Sequence, residues 1–166
     1  DARQSFGYDR WGNQVLVTGR DGATTLSEYD QRGRLATRLV PSGARLSWTY
    51  DELDRPVEVV VEADGVRAVT RYTFEGDSPN PSIAVDPSGG ITRMLWQDGL
   101  LKRVVDPTGV VTRFDHDEHG DLVAATDAAG NTSRLERDAA GRVVAAVTPL
   151  GHRTSYRYDQ VSGLLA

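Results

Sequence analysis

A chain that repeats its own pattern at a constant interval folds as a stack of equal units, and the interval sets the size of each unit. The pattern in this chain is an aromatic residue, an acid, and a glycine three residues after the acid. It appears as Tyr8-Asp9 with Gly12 and as Tyr29-Asp30 with Gly33. It recurs as His116-Asp117 with Gly120, Arg137-Asp138 with Gly141, and Tyr158-Asp159 with Gly163, the last with one extra residue. Tyr50-Asp51 keeps the anchor but carries Asp54 where glycine is expected. Phe74-Glu75-Gly76 and Trp96-Gln97-Asp98-Gly99 are degenerate copies. The anchors stand at 8, 29, 50, 74, 96, 116, 137 and 158, so the spacing is 20 to 24 residues and most often 21.

A second glycine series lies between the anchors, at Gly22, Gly43, Gly65, Gly89, Gly109, Gly130 and Gly151, each preceded by turn formers such as Arg20-Asp21 or Asp86-Pro87-Ser88. Each period therefore holds two turns and two segments of about seven residues. The segment before each acid alternates, as in Ser47-Trp48-Thr49-Tyr50 and Ser155-Tyr156-Arg157-Tyr158. A period of two predicts an extended strand with one buried face. The segment after the turn is rich in Val and Leu, as in Arg142-Val143-Val144-Ala145-Ala146-Val147, which again favours strand. No stretch keeps amphipathic helical spacing over three turns. The acid of Asp-x-x-Gly accepts backbone N–H bonds two or three residues on, and glycine takes positive φ at no steric cost. A type I turn followed by a left-handed glycine closes a hairpin with a bulge. The segment Glu75–Pro81, with Pro79 and Pro81, breaks the rhythm. It reads as part of the longest period and predicts a longer loop.

The expected fold class is all-β: tandem antiparallel β-hairpins of about 21 residues per repeat, forming a curved, spiralling sheet. Residues 1–166 read as one array of about eight repeats. A lone hairpin cannot bury its face, so successive hairpins must lie side by side. The chain begins and ends mid-pattern and reads as a fragment of a larger protein. Its terminal strands would expose unpaired backbone groups, which allows edge-to-edge self-association.

Composition closes several other routes. Net charge is −5 with no basic stripe, which argues against nucleic acid as a partner. No apolar run approaches a membrane span. The opening Asp1-Ala2-Arg3-Gln4-Ser5 lacks the apolar core of a signal peptide. Cysteine is absent, so disulfides and thiolate metal sites are excluded.

The phased motif Tyr156-Arg157-Tyr158-Asp159, Tyr29-Asp30-Gln31-Arg32-Gly33-Arg34-Leu35 and Asp138-Ala139-Ala140-Gly141-Arg142-Val143, the last two followed by a Pro-containing glycine turn, strongly resembles the YD (Rhs) repeat. That repeat is the unit of Rhs proteins, of the C component of bacterial toxin complexes and of teneurins. The resemblance covers essentially the whole chain. It implies hairpins joined edge to edge into a strip that spirals into a hollow cocoon. In bacterial members the cocoon encloses a C-terminal toxin domain until delivery. The resemblance thus implies a structural scaffold, part of the wall of a toxin-encapsulating β-cage. Its partners would be the rest of the shell, the enclosed toxin polypeptide and secretion-apparatus proteins. The protein would be secreted or held at the cell surface.

The candidates for chemistry are weak. His116 and His119 form an H-x-x-H pair, and His152 is remote. Zinc would need both on one helix face, whereas His116 falls on a strand and His119 in a turn. The acids Asp115, Asp117 and Glu118, or Asp51, Glu52 and Asp54, are neighbours on hairpin turns. Glycoside hydrolysis needs two carboxyls facing across a cleft, and calcium needs a built cage. Asp86-Pro87 and Asp106-Pro107-Thr108-Gly109-Val110 are similar to the D-P-x-G element near the self-cleavage site that ends bacterial Rhs cores. Both fall in phase with the second turn, where Asp and Pro are ordinary turn residues. The serines, from Ser5 to Ser162, show no G-x-S-x-G context. The reading is therefore non-catalytic, with no catalytic, cofactor-binding or metal residues and no cofactor. The alternative is an extracellular recognition module binding carbohydrate or a partner protein. It would need exposed aromatic cages, and only Trp11, Trp48 and Trp96 supply tryptophan.

Overall fold

The computed structural model describes residues 3–159 and 162–165. Asp1 and Ala2 of the opening segment, and residues 160 and 161 of the lengthened last turn, lie outside the described residues. The chain divides into two units, Asp1–Gly90 and Ile91–Ala166.

The first unit holds β1 (Ser5–Tyr8), β2 (Gln14–Thr18), β3 (Thr24–Tyr29), β4 (Leu35–Leu39), β5 (Arg45–Tyr50), β6 (Pro56–Ala63), β7 (Val66–Phe74) and β8 (Pro81–Val85). The second holds β9 (Ile91–Gln97), β10 (Leu100–Val105), β11 (Val111–His116), β12 (Leu122–Thr126), β13 (Thr132–Arg137), β14 (Val143–Val147) and β15 (Arg153–Ser155). Within each unit every strand pairs antiparallel with its neighbours in chain order, with no crossover. No helix occurs among the described residues. The expected all-β architecture of consecutive hairpins is the one observed.

The turns follow the glycine phase. In the first, the Asp9 N–H donates to the Asn13 carbonyl at 2.9 Å and the Gly12 N–H to the Asp9 carbonyl at 3.1 Å. Gly12 sits at φ 86°, in the left-handed region. The same five-residue loop recurs at Gly19, Asp30, Val40, Asp51, Asp86, Asp106 and onward to Thr148. It is the type I turn with a glycine bulge that the sequence predicts. The register shifts by one residue at the anchor just before the turn acid, for example between Glu28 and Tyr29 and between Glu136 and Arg137. Asp54 takes the glycine role at φ 62°, a conformation that aspartate tolerates better than most side chains.

Three expectations need correction. Except in the lengthened last turn, where Asp159 bonds the N–H three residues on, the anchor aspartates bond the N–H groups two and four residues on, as Asp30 does with Arg32 and Arg34, where two or three was expected. The third N–H belongs to the glycine and already donates to the aspartate's own carbonyl. Asp64-Gly65 and Asp98-Gly99 form two-residue turns with both residues at positive φ, in place of the five-residue loop. Finally, Glu75–Pro81 is not where the longest period gains its length. That period ends at Phe74, and its extra residues lie in β6 and β7, which run 8 and 9 residues. The loop after Phe74 is only one residue longer than the usual five.

Directly opposed residues share a face of the sheet. One face is apolar: Leu46, Val61 and Ala68 align, as do Trp48, Val59 and Thr70, and in the second unit Phe114, Ala125 and Ser133. The opposite face carries charge: Arg45 pairs Glu62, Glu62 pairs Arg67, and Glu58 pairs Arg71. The sheet is one layer thick. Its aromatic face, expected to be buried, is half-buried, because nothing packs across it among the described residues. Full burial is confined to small residues between longer charged neighbours, namely Val60 (6% exposed), Ala124 and Ala145 (0%) on the charged face, and to Ser27. Stability therefore comes from neighbour-to-neighbour contacts along the array.

Candidate functional site: the clasp between successive hairpins

The side chains that recur with the period meet at one end of the hairpins. Three anchor tyrosines reach back to the hairpin before them. The Tyr29 hydroxyl donates to the Gln14 carbonyl at 3.0 Å, Tyr50 to Leu35 at 2.8 Å, and Tyr158 to Val143 at 2.8 Å. The acceptor is always the first residue of the strand that follows the previous turn. Burial pushes the Tyr50 phenol up, so the hydroxyl stays protonated and able to donate.

Above three of the anchor rings lies an arginine from the preceding turn. Arg34 stands 4.6 Å from the centroid of Tyr50, Arg55 stands 4.5 Å from Phe74, and Arg142 stands 4.8 Å from Tyr158. Each also returns to its own turn aspartate: Arg34 Nε donates to Asp30 Oδ2 at 2.7 Å, and Arg55 and Arg142 repeat the bond to Asp51 and Asp138. The remaining guanidinium nitrogens reach the next turn. Arg34 Nη1 donates to the Asp51 carbonyl and to Asp54 Oδ1, and Arg55 Nη1 to the carbonyls of Gly76 and Ser78. A planar five-donor fork suits this task, since it stacks on the ring while bonding carboxylate and carbonyls. The sequence reading assigned these arginines no role. Their signal was a recurrence at a constant offset, the fifth residue after the anchor at Arg34, Arg55 and Arg142.

Arg137, which stands at an anchor position, does the work of the missing tyrosine. Its Nε and Nη2 donate to the Leu122 carbonyl at 3.3 and 3.1 Å, the register position that Tyr50 and Tyr158 address. The residue at the clasp position below it is Asp121, whose Oδ1 lies 3.9 Å from Arg137 Nη1. Charge is thus exchanged between the two positions: the cation moves to the anchor, and an acid replaces the stacked arginine.

Asp9, Asp30, Asp51, Asp86, Asp106, Asp117, Asp127 and Asp138 lie below the ordinary carboxylate value. For Asp30 the main cause is the Arg34 N–H, helped by the Arg34 guanidinium. For Asp138 it is the Arg142 side chain, for Asp127 the Asn131 amide, and for Asp86 and Asp106 the hydroxyls of Ser88 and Thr108. Asp51 is also lowered, although desolvation, its largest single influence, opposes the shift. These groups are strongly hydrogen-bonded turn staples, which leaves them ionised and occupied.

The other candidates do not converge. His116 Nδ1 is buried without a hydrogen-bond partner, His119 lies exposed 3.7 Å from Glu118, and His152 contributes its N–H to Thr148 Oγ1. Among the described residues no three His, Cys, Asp or Glu side chains come together as a metal set. The Asp106-Pro107 pair opens an ordinary turn, with Asp106 Oδ1 accepting from the N–H groups of Thr108 and Val110. Asp86-Pro87 does the same through Ser88 and Gly90.

Single-layer hairpins clasped in register define a structural repeat protein. Residues 96–132 match the family model for the RHS Repeat. The toxin protein Tse5 of Pseudomonas aeruginosa is 33% identical over 129 residues, which is 75% of this chain and 10% of Tse5. The chain belongs to the Rhs/YD-repeat family. Solved structures of TcdB2-TccC3, alone and with Cdc42, superpose at a TM-score of 0.68 with 18% and 17% identity. Both cover 98% of this chain and 11% of the matched chain, and at that identity they show the fold. The chain spans about a tenth of the length of the relatives it matches.

Proposed function

We propose that the chain is a section of the wall of an Rhs-type β-cage that encloses a C-terminal toxin polypeptide in an exported protein. Its role is steric, and it performs no reaction of its own. The observation that carries this reading is the clasp. Tyr50 with Arg34, and Tyr158 with Arg142, lock their hairpins to the ones before, while among the described residues no second layer supports the sheet from behind. Such a sheet is built for lateral extension and leaves a half-buried aromatic face open to whatever it encloses. The likeness to Tse5 and to the TccC3-containing structures supports the same assignment.

The test uses the full-length protein. Limited proteolysis followed by mass spectrometry is expected to recover an intact C-terminal fragment while the repeats remain folded. Digestion of that fragment at the rate of a free polypeptide, with the repeats intact, would overturn the proposal. Alanine at Arg34 and Arg55 together is expected to open the wall and hasten loss of the fragment.

A further inference from the structure

The clasp lacks its arginine at the first repeat. The fifth residue after Tyr8 is Asn13, standing where Arg34, Arg55 and Arg142 stand in other repeats. Asn13 keeps the local half of the arrangement, donating Nδ2 to Asp9 Oδ2 at 2.9 Å. It is too short to continue onto the next anchor ring, Tyr29. A recess of about 270 Å³ opens there, with Asp9, Trp11, Asn13, Tyr29, Asp30 and Arg32 in its lining. Trp11 is 71% exposed.

We propose that this recess binds the guanidinium group of an arginine presented by another polypeptide. The rest of the chain shows how the niche is filled when the arginine is its own. In the occupied copy at Tyr50, the guanidinium stacks on the ring, bonds Asp30 Oδ2 from below and reaches the Asp51 carbonyl. The corresponding groups at the recess are the Tyr29 ring, Asp9 Oδ2 and the Asp30 carbonyl. Asp9 Oδ2 holds one bond, from Asn13, and a carboxylate oxygen accepts two. The Tyr29 hydroxyl is directed to the Gln14 carbonyl, which fixes the ring and leaves its face as the stacking platform. The two nearby arginines are engaged elsewhere. Arg32 Nη1 lies 3.0 Å from Asp54 Oδ1, and Arg10 stands over Trp11 at 4.0 Å from the ring centroid. The occupant therefore comes from outside this neighbourhood. Arginine is favoured over lysine, because the niche asks for a flat cation that stacks while donating in two directions.

The probe is a blocked Gly-Arg-Gly tripeptide, titrated into the full-length protein by calorimetry beside its lysine counterpart. Saturable binding of the arginine peptide is expected, with the lysine peptide weaker by about fivefold or more. Asn13→Arg fills the recess from within and abolishes binding. Asn13→Ala releases Asp9 Oδ2 and tightens binding severalfold. These opposite responses separate occupancy of the niche from loss of folding, which would weaken both variants. Absence of saturable binding, equal binding of the lysine peptide, or undiminished binding to Asn13→Arg overturns the proposal. None of these outcomes bears on the cage-wall reading.

Discussion

The reach of Tyr50 back to Leu35 offers the most direct measure of what holds neighbouring hairpins together. Tyr50→Phe keeps the ring, its stacking with Arg34 and its register opposite Pro56, and removes only the hydroxyl. A neutral hydrogen bond of 2.8 Å at a half-buried site contributes about 1 kcal/mol. Tyr50→Leu also removes the ring. Loss of the cation–π contact adds about 0.5–1 kcal/mol, and the reduced apolar cover brings the total to about 2 kcal/mol. In a repeat array the effect falls on the adjoining hairpins, so the assay is hydrogen exchange of the β4 to β6 peptides in the full-length protein. Opening energies of about 1 and 2 kcal/mol speed exchange about fivefold and thirtyfold. Phe74 is the complementary case, an anchor whose ring already lacks the hydroxyl. The Pro56 carbonyl stands below it at the register position that Leu35 holds below Tyr50. Phe74→Tyr is expected to slow exchange in β6 and β7 by up to about fivefold. Unchanged exchange in all three variants would refute the idea that the anchor joins the hairpins.

Further expectations concern acid, burial and charge. The turn aspartates have folded pKa values below the ordinary 3.8, so their stabilisation is complete above that value and fades as pH falls through the lowered ones. Circular dichroism should stay flat from pH 8 to about 5 and collapse only below about 4, and a transition near pH 6 would contradict this. Ala145 has no exposed surface, and Ala145→Leu should cost about 1–3 kcal/mol by overpacking, read as a lower denaturation midpoint. Asp121→Arg and Arg137→Tyr should each destabilise alone, while the pair, which restores the usual clasp, should recover most of the loss. A double-mutant cycle is expected to show coupling of about 1 kcal/mol, and additivity would deny that the two positions interact.

The strand-and-turn skeleton was legible because its causes are local. Alternation gives strands, and Asp-x-x-Gly gives a turn that needs no distant partner. The same locality explains Asp54, whose left-handed role followed from its position in the motif. What was missed depends on side chains meeting across a repeat. Arg34 looks like a solvated turn residue until Tyr50 arrives above it, 16 residues later in the chain. Arg137 looked like a failed tyrosine because the sequence shows residue type, while the carbonyl of Leu122 asks only for a donor. The two-residue turns at Asp64-Gly65 and Asp98-Gly99 carried a readable signal, since Asp-Gly is a preferred pair for such turns. The dominance of the five-residue loop elsewhere hid it. The histidines and clustered acids, read as repeat positions by phase, form no metal set among the described residues.

The clasp also gives the array a sense of direction. Arg34, Arg55 and Arg142 lean toward the following repeat, and the Tyr50, Phe74 and Tyr158 rings receive from the one before. A break anywhere in the series would leave two unlike ends: a loose guanidinium on one side and a bare aromatic ring on the other. Such ends fit each other and cannot fit their own kind, so two severed pieces would rejoin only head to tail.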